Sequence, residues 1–190
     1  MNITLRKANA LQNSINDTIK SIKFDTVVKV NEFQDPEAVI KTAEVEFARN
    51  MQRRDSLYAV LYEIRKLVGR GNDASGISQR LADVAHLEKQ IQFFGDLASK
   101  EVREDGKVIA GKLDKIRNEK GESRRTIYGY NDEVSTSILD KEEVEGFKKL
   151  TVASKKNKQK LQDEILELNV RTEIELSEKA VAILTSEGLL

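Results

Sequence analysis

The polar chemistry of this chain is concentrated in a few short stretches. Lys120, Arg124, Arg125, Tyr128 and Tyr130 mix cations with aromatic rings in one polar segment. Such a mixture can stack a base and hold a phosphate. The plainer reading, which outweighs it, is a solvated loop whose tyrosines fold onto neighbouring helices. Lys155, Lys156, Lys158 and Lys160 could add phosphate contacts, although a charge run of this kind is most simply a solvated helix face. Gly69-Arg70-Gly71-Asn72-Asp73-Ala74-Ser75-Gly76 has glycines like a phosphate cradle. It lacks the Gly-Lys-Ser/Thr of a nucleotide loop and follows no strand. The simpler expectation is a helix-to-helix turn whose glycines supply positive φ. The other is an anion held between Arg70 and the N-terminus of the next helix.

Other chemistries are bounded by what the sequence lacks. His86 is the only histidine, so one chain can form neither a His–His metal pair nor a Ser–His–Asp triad. With no cysteine, disulfides, zinc thiolates and thiol nucleophiles are excluded. Carboxylates are plentiful, but Glu142, Glu143 and Glu145 fit helix capping and surface charge better than an acid/base pair. No catalytic residue, metal ligand or cofactor is assigned. An enzyme would need a carboxylate or metal site that the spacing does not reveal.

The elements that must carry these residues are mostly helices. Asp35 is a good N-cap and Pro36 suits the first helical position. Val39, Ile40, Ala43, Phe47, Leu57, Leu61, Ile64 and Val68 then recur at helical spacing, which predicts a helix over 36–68. Ile77, Leu81, Val84, Leu87, Ile91, Phe94 and Leu97 alternate steps of four and three, a near-heptad pattern. The two helices are expected to form a long antiparallel hairpin. Before it, Thr4 caps a helix with the stripe Leu5, Ala8, Leu11, Ile15, Ile19 and Ile22. Phe24 to Phe33, rich in β-branched residues, reads as a strand.

After the hairpin, Val102 to Ile116 either prolongs the second helix or, past a turn at Glu104-Asp105-Gly106, starts a new one. Residues 119–139 lack periodicity. Asp140 caps a third long helix with the stripe Val144, Phe147, Leu150, Leu161, Ile165 and Leu168. Arg171 to Leu176 alternates as a strand, Ser177 caps a short last helix, and Gly188 supplies a left-handed stop. The two strands are expected to pair with each other or with copies in another subunit.

The fold class expected is therefore mainly α: a long, coiled-coil-like antiparallel hairpin, a third long helix and a small two-stranded β element. Residues 1–105 would form the helix–strand–hairpin part, 106–139 an irregular connection, and 140–190 the long helix, strand and short C-terminal helix. The chain has 190 residues, with Lys+Arg and Asp+Glu both at 32, so global charge gives no support to nucleic-acid coating. No stretch has the apolar length of a signal peptide or a membrane span. A cytoplasmic protein is expected, in the host cytoplasm if it is phage-encoded.

The first hundred residues resemble a septicolysin-like family of uncharacterised small helical proteins. The shared layout is a short helix near Ile3-Thr4-Leu5-Arg6-Lys7-Ala8, a Val-rich strand, Asp35-Pro36 opening a long helix, and an Asn-containing turn at Asn72. At Ala82-Asp83-Val84-Ala85 the Arg-Asp pair of the family pattern is absent. The ending Asn169-Val170-Arg171-Thr172-Glu173-Ile174-Glu175-Leu176 resembles small accessory proteins of tailed bacteriophages. Neither resemblance implies an activity or site residues. The apolar stripes exceed what one copy can cover, so the function expected is non-enzymatic: a homo-oligomeric binding protein, in phage terms acting on a host component. The alternative is a nucleic-acid or nucleotide-sequestering protein using the 120–130 loop and the 155–160 lysines.

Overall fold

The computed structural model describes residues 1–122 and 133–190, with side chains described outside 119–132. Among them are six helices and one two-stranded sheet, in the order β1 (Asn2–Thr4), α1 (Leu5–Ser21), α2 (Pro36–Ser75), α3 (Ile77–Ala98), α4 (Gly106–Glu122), α5 (Lys141–Arg171), β2 (Glu173–Glu175) and α6 (Glu178–Ser186). The mainly helical class with a small antiparallel sheet is as the sequence indicates. The chain divides into two compact units: Met1–Leu81 with Asp163–Leu190, and Ala82–Gln162.

The first unit is built around α1. Thr4 Oγ1 accepts from the Lys7 amide at 3.2 Å, satisfying one donor of the open first turn. Leu5, Ala8, Leu11, Ile15 and Ile19, one face of the helix, are buried. They pack against Leu57, Val60, Leu61, Ile64 and Val68 of α2, with Leu176, Ala180 and Leu184 closing the cluster. The sheet joins the two distant parts of the chain: Ile3 pairs with Ile174 in antiparallel register, and both side chains are buried. The Leu5 amide donates to the Thr172 carbonyl (3.0 Å) and the Leu176 amide to the Met1 carbonyl (2.9 Å). Ser177 caps α6 through the Ala180 amide, and Gly188 adopts φ 68°.

Two sequence expectations change here. Residues 24–33 do not form a strand; β2 takes Asn2–Thr4 as its partner instead. A strand needs one face buried to fix its register, whereas Val27, Val28, Val30 and Phe33 are all exposed. The segment is held to α2 at its start, where Phe24 meets Phe47 edge to face at 5.6 Å and Asn50 Nδ2 donates to the Lys23 carbonyl. Nor does α2 stop at Val68. It runs through Gly69 and Gly71 to Ser75, and the break is the single left-handed residue Gly76 (φ 75°). Gly71 stays helical because the backbone must pass close to the sheet. A Cβ there would lie 2.9 Å from Leu5 Cδ2 and 3.2 Å from Ile174 Cγ2.

In the second unit α3 and α5 lie antiparallel: Phe94 stacks on Phe147 at 6.3 Å, and Lys158 pairs with Glu88 at 2.8 Å. The Asp140 carboxylate accepts from the Glu143 amide while Glu143 accepts from the Asp140 amide, both at 2.8 Å. This reciprocal capping box opens α5. Of the two readings for 101–118, the new helix holds: Asp105 accepts from the Lys107 amide at 2.7 Å and α4 begins at Gly106. The Arg103 amide returns to the Leu139 carbonyl at 2.7 Å, and the Glu104 amide to Thr136 Oγ1 at 3.0 Å.

Candidate functional site

The first half of α2 is the surface least explained by the chain's own packing. Along α2, Ile40, Ala43, Phe47, Asn50, Arg54, Leu57, Leu61, Ile64 and Val68 follow alternating steps of three and four. From Leu57 onward this seam is buried under α1. Before Leu57 the same seam continues, but no residue of α2 is buried. Ile40, Val45, Phe47 and Met51 are exposed, Val45 to 64% and Met51 to 57%. The exposed residues 25–28 lie beside it and leave a cleft of about 390 Å³ lined by Thr26, Val28, Ile40, Ala43 and Phe47. Arg54 sits over the Phe24 ring at 5.2 Å, a cation–π contact at the inner end of this surface.

A second cleft, about 300 Å³, is lined by Arg49, Arg53, Ser56, Ile183 and Glu187. Two of its three charges are matched to each other. Arg53 grips Glu187 through two nitrogens at 2.6–3.0 Å. The guanidinium holds the Glu187 carboxyl below its usual range, and Glu187 raises Arg53 in turn. The pair ties the end of α6 to α2.

The residues singled out by type are not brought into one site. Arg70 lies exposed on the continuous helix α2, so no glycine loop surrounds it. The start of α3 is occupied from within: Ser78 Oγ donates to Asp73 Oδ1 at 2.6 Å, and Arg80 donates to the Gly76 carbonyl and to Glu164. Lys120 has its backbone in α4, but its side chain lies outside the described residues, as do Arg124, Arg125, Tyr128 and Tyr130. His86 is exposed on α3. Lys155, Lys156 and Lys160 are exposed on α5, while Lys158 is engaged by Glu88 and holds that carboxyl low. Glu143 serves the capping box and Glu145 pairs with Lys148 at 2.6 Å. Among the described residues there is no group of three or more His, Asp or Glu positioned for a metal, and no helix long and apolar enough to cross a membrane.

The 24–33 segment was the part missed as a surface. Its signal is that five large apolar residues, Phe24, Val27, Val28, Val30 and Phe33, lack the matching polar alternation of a half-buried strand. No family model, curated protein or solved structure matches the chain.

Proposed function

We propose that this chain is a non-catalytic binding protein that self-associates through the first half of α2 and the adjoining 24–33 segment. The observation that carries the reading is the continuity of the α2 seam. The register that buries Leu57, Leu61 and Ile64 under α1 runs on through Phe47, Ala43 and Ile40, where only the segment from Phe24 to Val28 lies against it and no helix covers it. Contiguous exposed apolar surface of this kind marks interaction sites. A second copy is the occupant that the charges favour. Glu37, Glu44 and Glu46 precede Arg49 and Arg54, with Lys41 and Asp55 the exceptions and Arg53 already paired with Glu187. A copy running antiparallel therefore sets acids against arginines about a two-fold axis.

Light scattering at micromolar concentration tests this. A mass that is a multiple of 21.5 kDa is expected. Phe47→Glu, which places a charge in the middle of the seam, should return the chain to monomer with its helical content intact. A wild-type monomer at these concentrations overturns the reading, and so does an oligomer indifferent to Phe47→Glu.

A further inference from the structure

We infer that the outward face of α5 is a docking surface for the phosphate backbone of a nucleic acid. Although acids and bases are equal in number over the chain, residues 146–162 hold six lysines and no carboxylate. The helix that carries them has a defined inner side: Val144 and Ser154 are buried, and Phe147 and Lys158 meet α3 through Phe94 and Glu88. Lys149, Lys156 and Lys160, at intervals of seven and four, form one row on the side away from these contacts, and all three are exposed. Lys155 flanks the row. Among the described residues none of these four lysines forms a salt bridge, in contrast to Lys148 with Glu145 and Lys158 with Glu88, although Lys149, one turn from Glu145, helps hold that carboxyl low. The row spans about 16 Å at 1.5 Å per residue, the reach of a few successive phosphates.

The alternative polyanion, an anionic membrane surface, fits less well. An interfacial helix needs a continuous bulky apolar face beside its cations, and the exposed large apolar residues between these lysines are only Leu150 and Val152, with the larger Phe147 turned to α3. Lysines hold phosphates as point charges and do not read bases, so affinity carried by this row is indifferent to sequence, with Asn157 and Gln159 the amides beside it.

Fluorescence anisotropy with a labelled 20-base-pair DNA duplex, using the full chain at low salt, provides the test. Three phosphate contacts predict an affinity that falls about 40-fold between 50 and 200 mM salt. The triple substitution Lys149→Gln, Lys156→Gln, Lys160→Gln should flatten the log–log salt slope by about three, with the circular dichroism spectrum unchanged. Lys7→Gln, an exposed lysine of α1 outside both surfaces, should leave the salt slope unchanged, which ties the effect to the α5 row. No binding at low salt, binding unmoved by the triple substitution, or binding to phosphatidylserine vesicles but not to DNA would each overturn the inference.

Discussion

Two glycines two residues apart in α2 should respond to the same substitution with opposite signs. Alanine is favoured over glycine in a helix interior by about 1 kcal/mol. At Gly69, exposed and with no described atom within 4 Å of an added Cβ, Gly69→Ala should realise that gain. At Gly71 the added carbon would meet Leu5 Cδ2 at 2.9 Å and Ile174 Cγ2 at 3.2 Å, inside the ordinary separation of about 3.5–4.0 Å. Neither neighbour can withdraw easily. Leu5 is fully buried and its amide is tied to the Thr172 carbonyl, and Ile174 sits in the paired sheet. Overpacking of this kind costs about 1–3 kcal/mol, so Gly71→Ala should be neutral to about 2 kcal/mol destabilising. The two variants should be separated by about 2 kcal/mol, or about 4–8 °C in Tm for a chain of this size. Urea denaturation and thermal melts followed by circular dichroism measure it. Leu5→Ala should cost less in the Gly71→Ala background than in the parent chain, a coupling that a double-mutant cycle isolates. Equal stabilisation by both alanines would refute the close approach of α2 to the sheet. Destabilisation by both would show that 69–75 is the positive-φ turn the glycines first suggest.

Two further outcomes follow from the same contacts. Glu187 titrates below its usual range in the folded chain, so its pairing with Arg53 stabilises above the unfolded carboxylate pKa of about 4.3 and is lost as pH falls through the lower folded value. Arg53→Ala, half-exposed as the arginine is, should cost about 0.5–1 kcal/mol at neutral pH and nothing once the carboxyl is protonated, read from melts between neutral and acid pH. Asp140→Ala removes the acceptor that serves the Glu143 amide and should cost about 1 kcal/mol, with faster amide exchange in the first turn of α5; unchanged exchange there would argue against the capping box.

What could be read from the sequence was what is decided locally. Thr4, Asp35, Asp140 and Ser177 cap helices because a side-chain oxygen within three residues of an orphan amide is sufficient. The α1 stripe and Gly188 belong to the same class. Errors arose where a distant partner decides. Asn2–Thr4 has no pattern of its own and is a strand only because Glu173–Glu175 lies alongside. The valines of 27–30 have strand propensity but no facing strand, and propensity yields to context. Gly71 looked like a turn, yet it is where a helix needs the absence of a side chain. Of the candidate surface, the α2 spacing was legible. That Lys158 is spent on Glu88 while Lys149, Lys156 and Lys160 share an outer row depends on which side of α5 meets α3, and only the packing supplies that.

The pairing of Ile3 with Ile174 also governs when the first unit can form during synthesis. Leu5 to Ile19 leave the ribosome ahead of Leu57 to Val68 and can find them soon afterwards, but Leu176, Ala180 and Leu184 emerge more than a hundred residues later. At roughly 5–20 residues per second that is several seconds of waiting with an unfinished core. The second unit has no such debt to the start of the chain: every residue from Ala82 to Gln162 precedes those last partners and can settle first. Translation thus allows residues 82–162 to mature before the unit whose two sequence segments flank them.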